Sequence, residues 1–138
     1  MSTGDGVPAP RQIGPVTRTD FVRYQGASGD MNPIHHDDAA AARSGYPTAF
    51  APGMLPAGYM AAWAANWLGL SRMRRFKVRF VDQLWPDEVV WCSGGIEARR
   101  TEQDDSYLDL WLRCETTDGR EIARGWATFV VDSESDLH

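Results

Sequence analysis

The stretch APGMLPAGYMAAWAANWL, residues 51–68, decides the fold. From Met54 to Leu68 it carries Met, Leu, Ala, Tyr and Trp on every side of a helix, with Asn66 its one clearly polar side chain. Pro56 falls in the first turn, where a missing N–H removes no intrahelical bond. A helix that is apolar all round has to be surrounded by other elements.

Working outward, the chain supplies strands. Residues 74–82 alternate Phe76, Val78 and Phe80 with Arg75, Lys77 and Arg79, the period of two of a half-buried strand. Pro86-Asp87 turns into a strand over 88–99, and residues 106–117 set Leu108, Leu110, Leu112 and Cys114 on one face. Asp118-Gly119 is a strong hairpin signal, joining that strand to one over 121–131.

On the other side of the helix, residues 11–16 read as an edge strand, because Pro15 is tolerated only at an edge. Thr19 is expected to cap a helix over 20–27, with Phe21 and Tyr24 on its inner face and Ser28-Gly29 ending it. Residues 37–45 read as a short helix begun by acids and stopped by Gly45. One long buried helix with an antiparallel sheet wrapped around it is a single α+β domain, the hot-dog arrangement. The expected limits are a loose arm over 1–10, the domain over 11–132 and a solvated tail over 133–138.

A chain of 138 residues buries most of a core but does not enclose a large cleft alone, which favours a site shared between subunits. Its net charge of -5 argues against nucleic acid, since phosphate binding needs a basic surface. Residues 1–10 lack a charged start followed by an apolar run, so no secretory leader is expected, and no membrane span is read. Cys92 and Cys114 lie in strand-like runs and read as reduced, packed thiols, which fits a cytoplasmic protein.

The chemistry is densest in YQGASGDMNPIHHD, residues 24–37. Pro33 pushes Asn32 out of the helical region, so the segment turns. On a continuous helix Asp30 and His35 would diverge by about 140°; in a turn they can converge. A carboxylate and an imidazole brought together share proton work. The same residues also read as a turn cap and a packed histidine, and the crowding of Ser28, Gly29, Asn32 and Pro33 into one loop favours the first reading.

His36, Asp37 and Asp38 suggest a metal cluster at first sight. Adjacent side chains point apart, however, and the two acids suit a helix start, so no metal is expected and His36 is given no role. Pro52-Gly53 opens the central helix, where unpaired N–H groups and the absence of a side chain let a ligand oxygen approach. Such a donor can stabilise a carbonyl oxygen gaining charge, and Gly53 serves tight packing on the alternative reading. Arg72, Arg74, Arg75, Lys77 and Arg79 form a basic cluster that suits either coenzyme A phosphates and an acidic carrier protein or a solvated strand face. Met60, Trp63 and Trp67 read as core.

Residues 24–37, with Ser28-Gly29-Asp30, Asn32-Pro33-Ile34-His35 and Asp37, resemble the signature of the MaoC-like dehydratases and (R)-specific enoyl-CoA hydratases. Ala51-Pro52-Gly53-Met54-Leu55 is similar to the family's central-helix start and Val78-Arg79-Phe80 to its next strand, and the likeness runs over about residues 14–131. The resemblance implies a hot-dog fold, a dimer made by joining two sheets, no cofactor, and reversible addition of water to a 2-enoyl thioester of coenzyme A or a carrier protein. It implies that Asp30 and His35 hold the water and move its protons, that the Gly53 N–H binds the thioester oxygen, that Asn32 orients the dyad or the water, and that Ser28 supports them. Two departures stand out: Pro86-Asp87 replaces the usual Pro-Gly-Asp, and Pro52 stands where other members carry His or Gln.

Two rivals remain at this level. An acyl-thioester hydrolase on the same fold needs a base at the carbonyl carbon, which the compact Asp30 and His35 pair disfavours. A non-catalytic subunit, paired with an active hot-dog partner, fits a degraded motif, whereas both residues are intact here.

Overall fold

The computed structural model describes residues 6–132. Five strands, β1 (Arg11–Val16), β2 (Met73–Phe80), β3 (Glu88–Glu102), β4 (Asp105–Thr116) and β5 (Glu121–Val131), form one antiparallel sheet in the order β1-β3-β4-β5-β2. Three helices, α1 (Arg18–Ser28), α2 (Asp38–Arg43) and α3 (Met54–Leu68), precede β2. The sheet wraps α3, as a hot-dog fold requires.

The inner face of the sheet is continuous and apolar: Val90 and Cys92 on β3, Leu108, Leu110, Leu112 and Cys114 on β4, and Ala127 and Phe129 on β5 are buried. Met60, Trp63 and Ala64 of α3 fill the concavity. Burying Met60 alone contributes on the order of 2 kcal/mol. Helix and sheet come close at Gly94, where a Cβ would stand 2.7 Å from the Trp63 ring and 2.8 Å from the Trp111 carbonyl. Only glycine lets the helix sit this deep. Cys92 and Cys114 are register partners on β3 and β4, both unpaired and buried.

Several elements differ from expectation. Thr17, not Thr19, caps α1: its hydroxyl accepts the Asp20 N–H at 3.2 Å while the Asp20 carboxylate accepts the Thr17 N–H at 2.8 Å. This reciprocal pair needs an acid three residues after the cap, and only Thr17 has one. The central helix is not buried all round, since Met54, Gly58, Ala62 and Asn66 lie four apart on an exposed stripe. Phe80 breaks the predicted inner face of β2, being 55% exposed at the strand's end.

The expected arm over 1–10 is described from residue 6, and that part is packed: Val7 is buried and the Trp63 indole N–H donates to the Ala9 carbonyl at 3.1 Å. The expected tail over 133–138 lies outside the described residues.

Candidate active site

α1 ends where Gly29 takes the left-handed conformation, φ 81°, and the chain then folds through successive side-chain turns. The Asp30 N–H donates to the Ser28 hydroxyl at 3.1 Å. Asp30 Oδ1 accepts the Asn32 N–H at 3.2 Å, and Asn32 Oδ1 accepts the Ile34 N–H at 3.2 Å. Short polar side chains satisfy the backbone here in place of a helix. The last of these turns opens a single 3-10 turn, Pro33–His35, which delivers His35 to the interior.

His35 is buried, and its Nδ1 lies 2.8 Å from the Phe50 carbonyl oxygen. A carbonyl only accepts, so Nδ1 carries the proton. In the neutral ring Nε2 then presents a lone pair, and it lies 3.7 Å from Asp30 Oδ2. That gap is too long for a direct hydrogen bond. Phe50 also packs edge-on against the His35 ring at 5.2 Å, which fixes the imidazole plane. Asp30 keeps about half of its side chain exposed, so the pair has one buried and one solvent-facing member.

The second half of the site follows from Phe50. Its N–H donates to the Ile34 carbonyl at 3.3 Å, so residues 34–35 and residue 50 hold each other at both backbone and side chain. The Ala51 N–H donates to the Leu84 carbonyl at 2.9 Å, anchoring the segment on its other side. Three residues beyond Phe50, Gly53 stands exposed at the N-terminus of α3. Its backbone is already helical, φ -59° and ψ -32°, so glycine is not demanded by conformation. What limits a side chain is space: a Cβ would lie 3.1 Å from the Phe80 ring. A cavity of about 80 Å³ adjoins it, lined among others by Phe50, Gly53, Phe80, Gln83 and Leu84.

The structure thus brings Asp30 and His35 within 3.7 Å of each other and links His35 to the Gly53 segment through Phe50. Ser28 and Asn32 hold the turn itself, the Asn32 carboxamide oxygen being taken by Ile34. The basic cluster divides. Arg72 pairs with Asp132 and Arg74 turns to the Ser71 carbonyl, whereas Lys77 lies over the Trp126 ring at 5.6 Å on the sheet's outer face. Among the described residues no three His, Cys, Asp or Glu side chains are placed to hold a metal. Asp37 caps α2, and Asp38 is bonded to Arg18.

Gln25 escaped the sequence reading. It is completely buried, with Nε2 2.9 Å from the Asp30 carbonyl and 3.0 Å from the Asn32 carbonyl, and Oε1 2.9 Å from His36 Nδ1. Its position four residues after Phe21, on the buried face of α1, was the available signal. His36, given no role from sequence, is a partner in this cluster.

The family model described as MaoC like domain matches residues 3–105, three-quarters of the chain. The chain belongs to the MaoC-like domain family. No curated protein sequence matches it. Among solved structures, an (R)-hydratase from A. caviae involved in PHA biosynthesis superposes on this MaoC-like chain with a TM-score of 0.75 at 22% identity, over 88% of this chain and 93% of the other. A chain of the ChsH1-ChsH2 complex from Mycobacterium tuberculosis gives 0.78 at 17% identity, covering 95% and 99%. A chain of the C-terminally truncated HadBC complex from the same organism, a 3R-hydroxyacyl-ACP dehydratase, gives 0.71 at 16% identity, covering 91% and 93%. At such identities the likeness shows the hot-dog fold, and membership of the MaoC-like family supports a hydratase or dehydratase role.

Proposed function

We propose that this MaoC-like protein adds water reversibly to 2-enoyl thioesters, giving (R)-3-hydroxyacyl thioesters. The observation that carries the reading is the relation between His35 and Asp30: Nδ1 committed to the Phe50 carbonyl, Nε2 facing a carboxylate oxygen across 3.7 Å. A water held by both groups can bridge that span. The dyad removes one proton from the water as its oxygen bonds to the β carbon, and delivers one proton to the α carbon, so it ends as it began. Between these events the thioester oxygen carries enolate charge, and the Gly53 N–H is the donor that stabilises it. Asn32 and Ser28 orient the dyad through the turn they build.

The enclosed space beside Gly53, about 80 Å³, is far smaller than an acyl thioester needs. Exposed Met54, Phe80 and Val81, with β2 an edge strand, support a site completed by a second hot-dog subunit. That partner is a second copy of this chain or an unlike chain, as in the two-component ChsH1-ChsH2 and HadBC complexes. The substrate is a thioester of coenzyme A or of an acyl carrier protein. Buried, unpaired Cys92 and Cys114 fit a reducing, cytoplasmic setting.

Incubating the purified protein with crotonyl-CoA and longer enoyl-CoAs, and following the conjugated thioester absorbance, tests the reading. Loss of absorbance with formation of the (R)-3-hydroxy product is expected. Absence of turnover with every chain length, alone and with candidate unlike subunits, leaves the non-catalytic binding subunit. Release of free thiol without hydration points instead to the thioester hydrolase.

A further inference from the structure

We infer that Gln25 is a positioning residue of the hydration site, setting the place of Asp30 relative to His35 from inside the protein; this rests on the hydratase reading above. Residues 26–33 are all exposed, so the loop that carries Asp30 has no apolar anchor of its own, and Met31 at its middle is 59% exposed. What reaches the loop from the interior is the Gln25 carboxamide. Its Nε2 lies within hydrogen-bond distance of the carbonyls of Asp30 and Asn32, the residues on either side of Met31.

Donor bookkeeping fixes the cluster. Both carbonyls only accept, so both Nε2 protons are donated and the carboxamide has one orientation. Oε1 must therefore accept, and the group at 2.9 Å from it is His36 Nδ1. His36 consequently carries its proton on Nδ1. It locks the carboxamide against rotation, as the Phe50 carbonyl locks the ring of His35. The two histidines are held by similar means, one within the dyad and one on the carboxamide that holds the loop.

The chemical consequence lies in the 3.7 Å between Asp30 Oδ2 and His35 Nε2. The His35 ring is held by Phe50 and burial as well as by the loop, whereas Asp30 is held by the loop, so movement of the loop displaces Asp30 relative to the ring. Gln25→Met and the near-isosteric Gln25→Glu both abolish the two N–H donations. Each is expected to lower kcat about 10- to 100-fold, because misplacing a catalytic group by about 1 Å costs that much. KM should stay within about threefold, since Gln25 does not touch substrate.

A purely structural role predicts something different, a lower melting temperature and a smaller folded fraction with unchanged kcat per folded molecule. In an Asp30→Asn background, Gln25→Met should add less than about a twofold loss, because the group it positions is gone. An unchanged kcat, or a full independent loss in the Asp30→Asn background, overturns the proposal. If neither Gln25 variant folds, the residue is a core element and the proposal also falls.

Nitrogen-15 spectra of the histidine rings give an arm that needs no turnover. Wild-type His36 should show the Nδ1–H tautomer and lose its fixed preference in Gln25→Met, which removes the acceptor at Oε1. An Nε2–H tautomer in the wild type overturns the clamp. If the tautomer responds as expected while wild type hydrates no thioester, the clamp stands and the hydratase reading fails.

Discussion

His35 Nε2 faces Asp30 Oδ2 across 3.7 Å, with the imidazole held by Phe50 and the carboxylate held by the turn at Asn32. Asp30→Asn keeps the shape of the loop and its exposed position but removes the charge. It should lower kcat by about 10²- to 10⁴-fold, the range for loss of an acid-base group, with the melting temperature nearly unchanged. His35→Ala should lose activity to a similar degree and also destabilise the fold, because His35 is buried and bonded to Phe50. Steady-state kinetics with thermal melts of both variants check this. Undiminished turnover in either one removes the dyad.

Gly53 can be tested apart from folding. Its helical φ and ψ suit any residue, and the contact that a Cβ at Gly53 would make is with the Phe80 ring at 3.1 Å, which has to give by a few tenths of an ångström. The variant should melt within a few degrees of wild type, whereas a methyl beside the N–H should reduce kcat/KM by about tenfold or more through loss of transition-state stabilisation. Adding Phe80→Ala relieves the contact. If activity returns in the double variant, steric packing rather than access to the N–H explains Gly53.

Legibility followed the range of the interactions. α3 and β5 have the expected bounds, because an unbroken apolar run and an Asp-Gly hairpin are local signals. The convergence of Asp30 and His35 was also readable, since Pro33 forces a turn between them. What holds them was less so. The Phe50 carbonyl that fixes His35 comes from 15 residues away, and no residue pattern announces a backbone acceptor. Phe80 follows the alternation of β2, yet it lies where that edge strand runs out beside Gly53, and among the described residues it stays 55% exposed. Gln25 was hidden by its polarity, although its spacing from Phe21 placed it inside.

Arg120 ties down the segment behind Gly53. Its guanidinium reaches Asp82 at 2.9 Å, the Gln83 carbonyl at 2.9 Å and both oxygens of Glu88, and Glu88 also accepts the Trp85 N–H. Between those contacts lies Leu84, whose carbonyl holds Ala51. Arg120→Ala should cost about 1–3 kcal/mol, the range for removing hydrogen bonds to a partly buried charged group. Arg120→Lys should recover only part of that, since a single ammonium cannot reproduce the planar fork. Urea midpoints of the three proteins check the order, and equal midpoints for Lys and Arg defeat the fork argument.

The low-pH limb of stability should report Asp38. Its Oδ1 accepts from the Arg18 guanidinium, the Ala49 N–H and the Thr48 hydroxyl, joining the starts of α1 and α2 to the segment that leads into Phe50. The Arg18 bond first, then those of Ala49 and Thr48, holds the Asp38 carboxyl down to about 2. An unfolded chain returns it to the ordinary value of about 3.9. A depressed folded value means that the unfolded state binds the proton more readily, so stability falls as pH falls. The contribution is therefore complete above about pH 4 to 5, declines as pH drops, and is gone below about 2. Asp38→Asn lacks this titration. Its deficit relative to wild type should be constant from neutral pH to about 5 and shrink toward pH 2, as read from urea midpoints across that range. A deficit independent of pH would mean that Asp38 acts through shape and neutral hydrogen bonding alone.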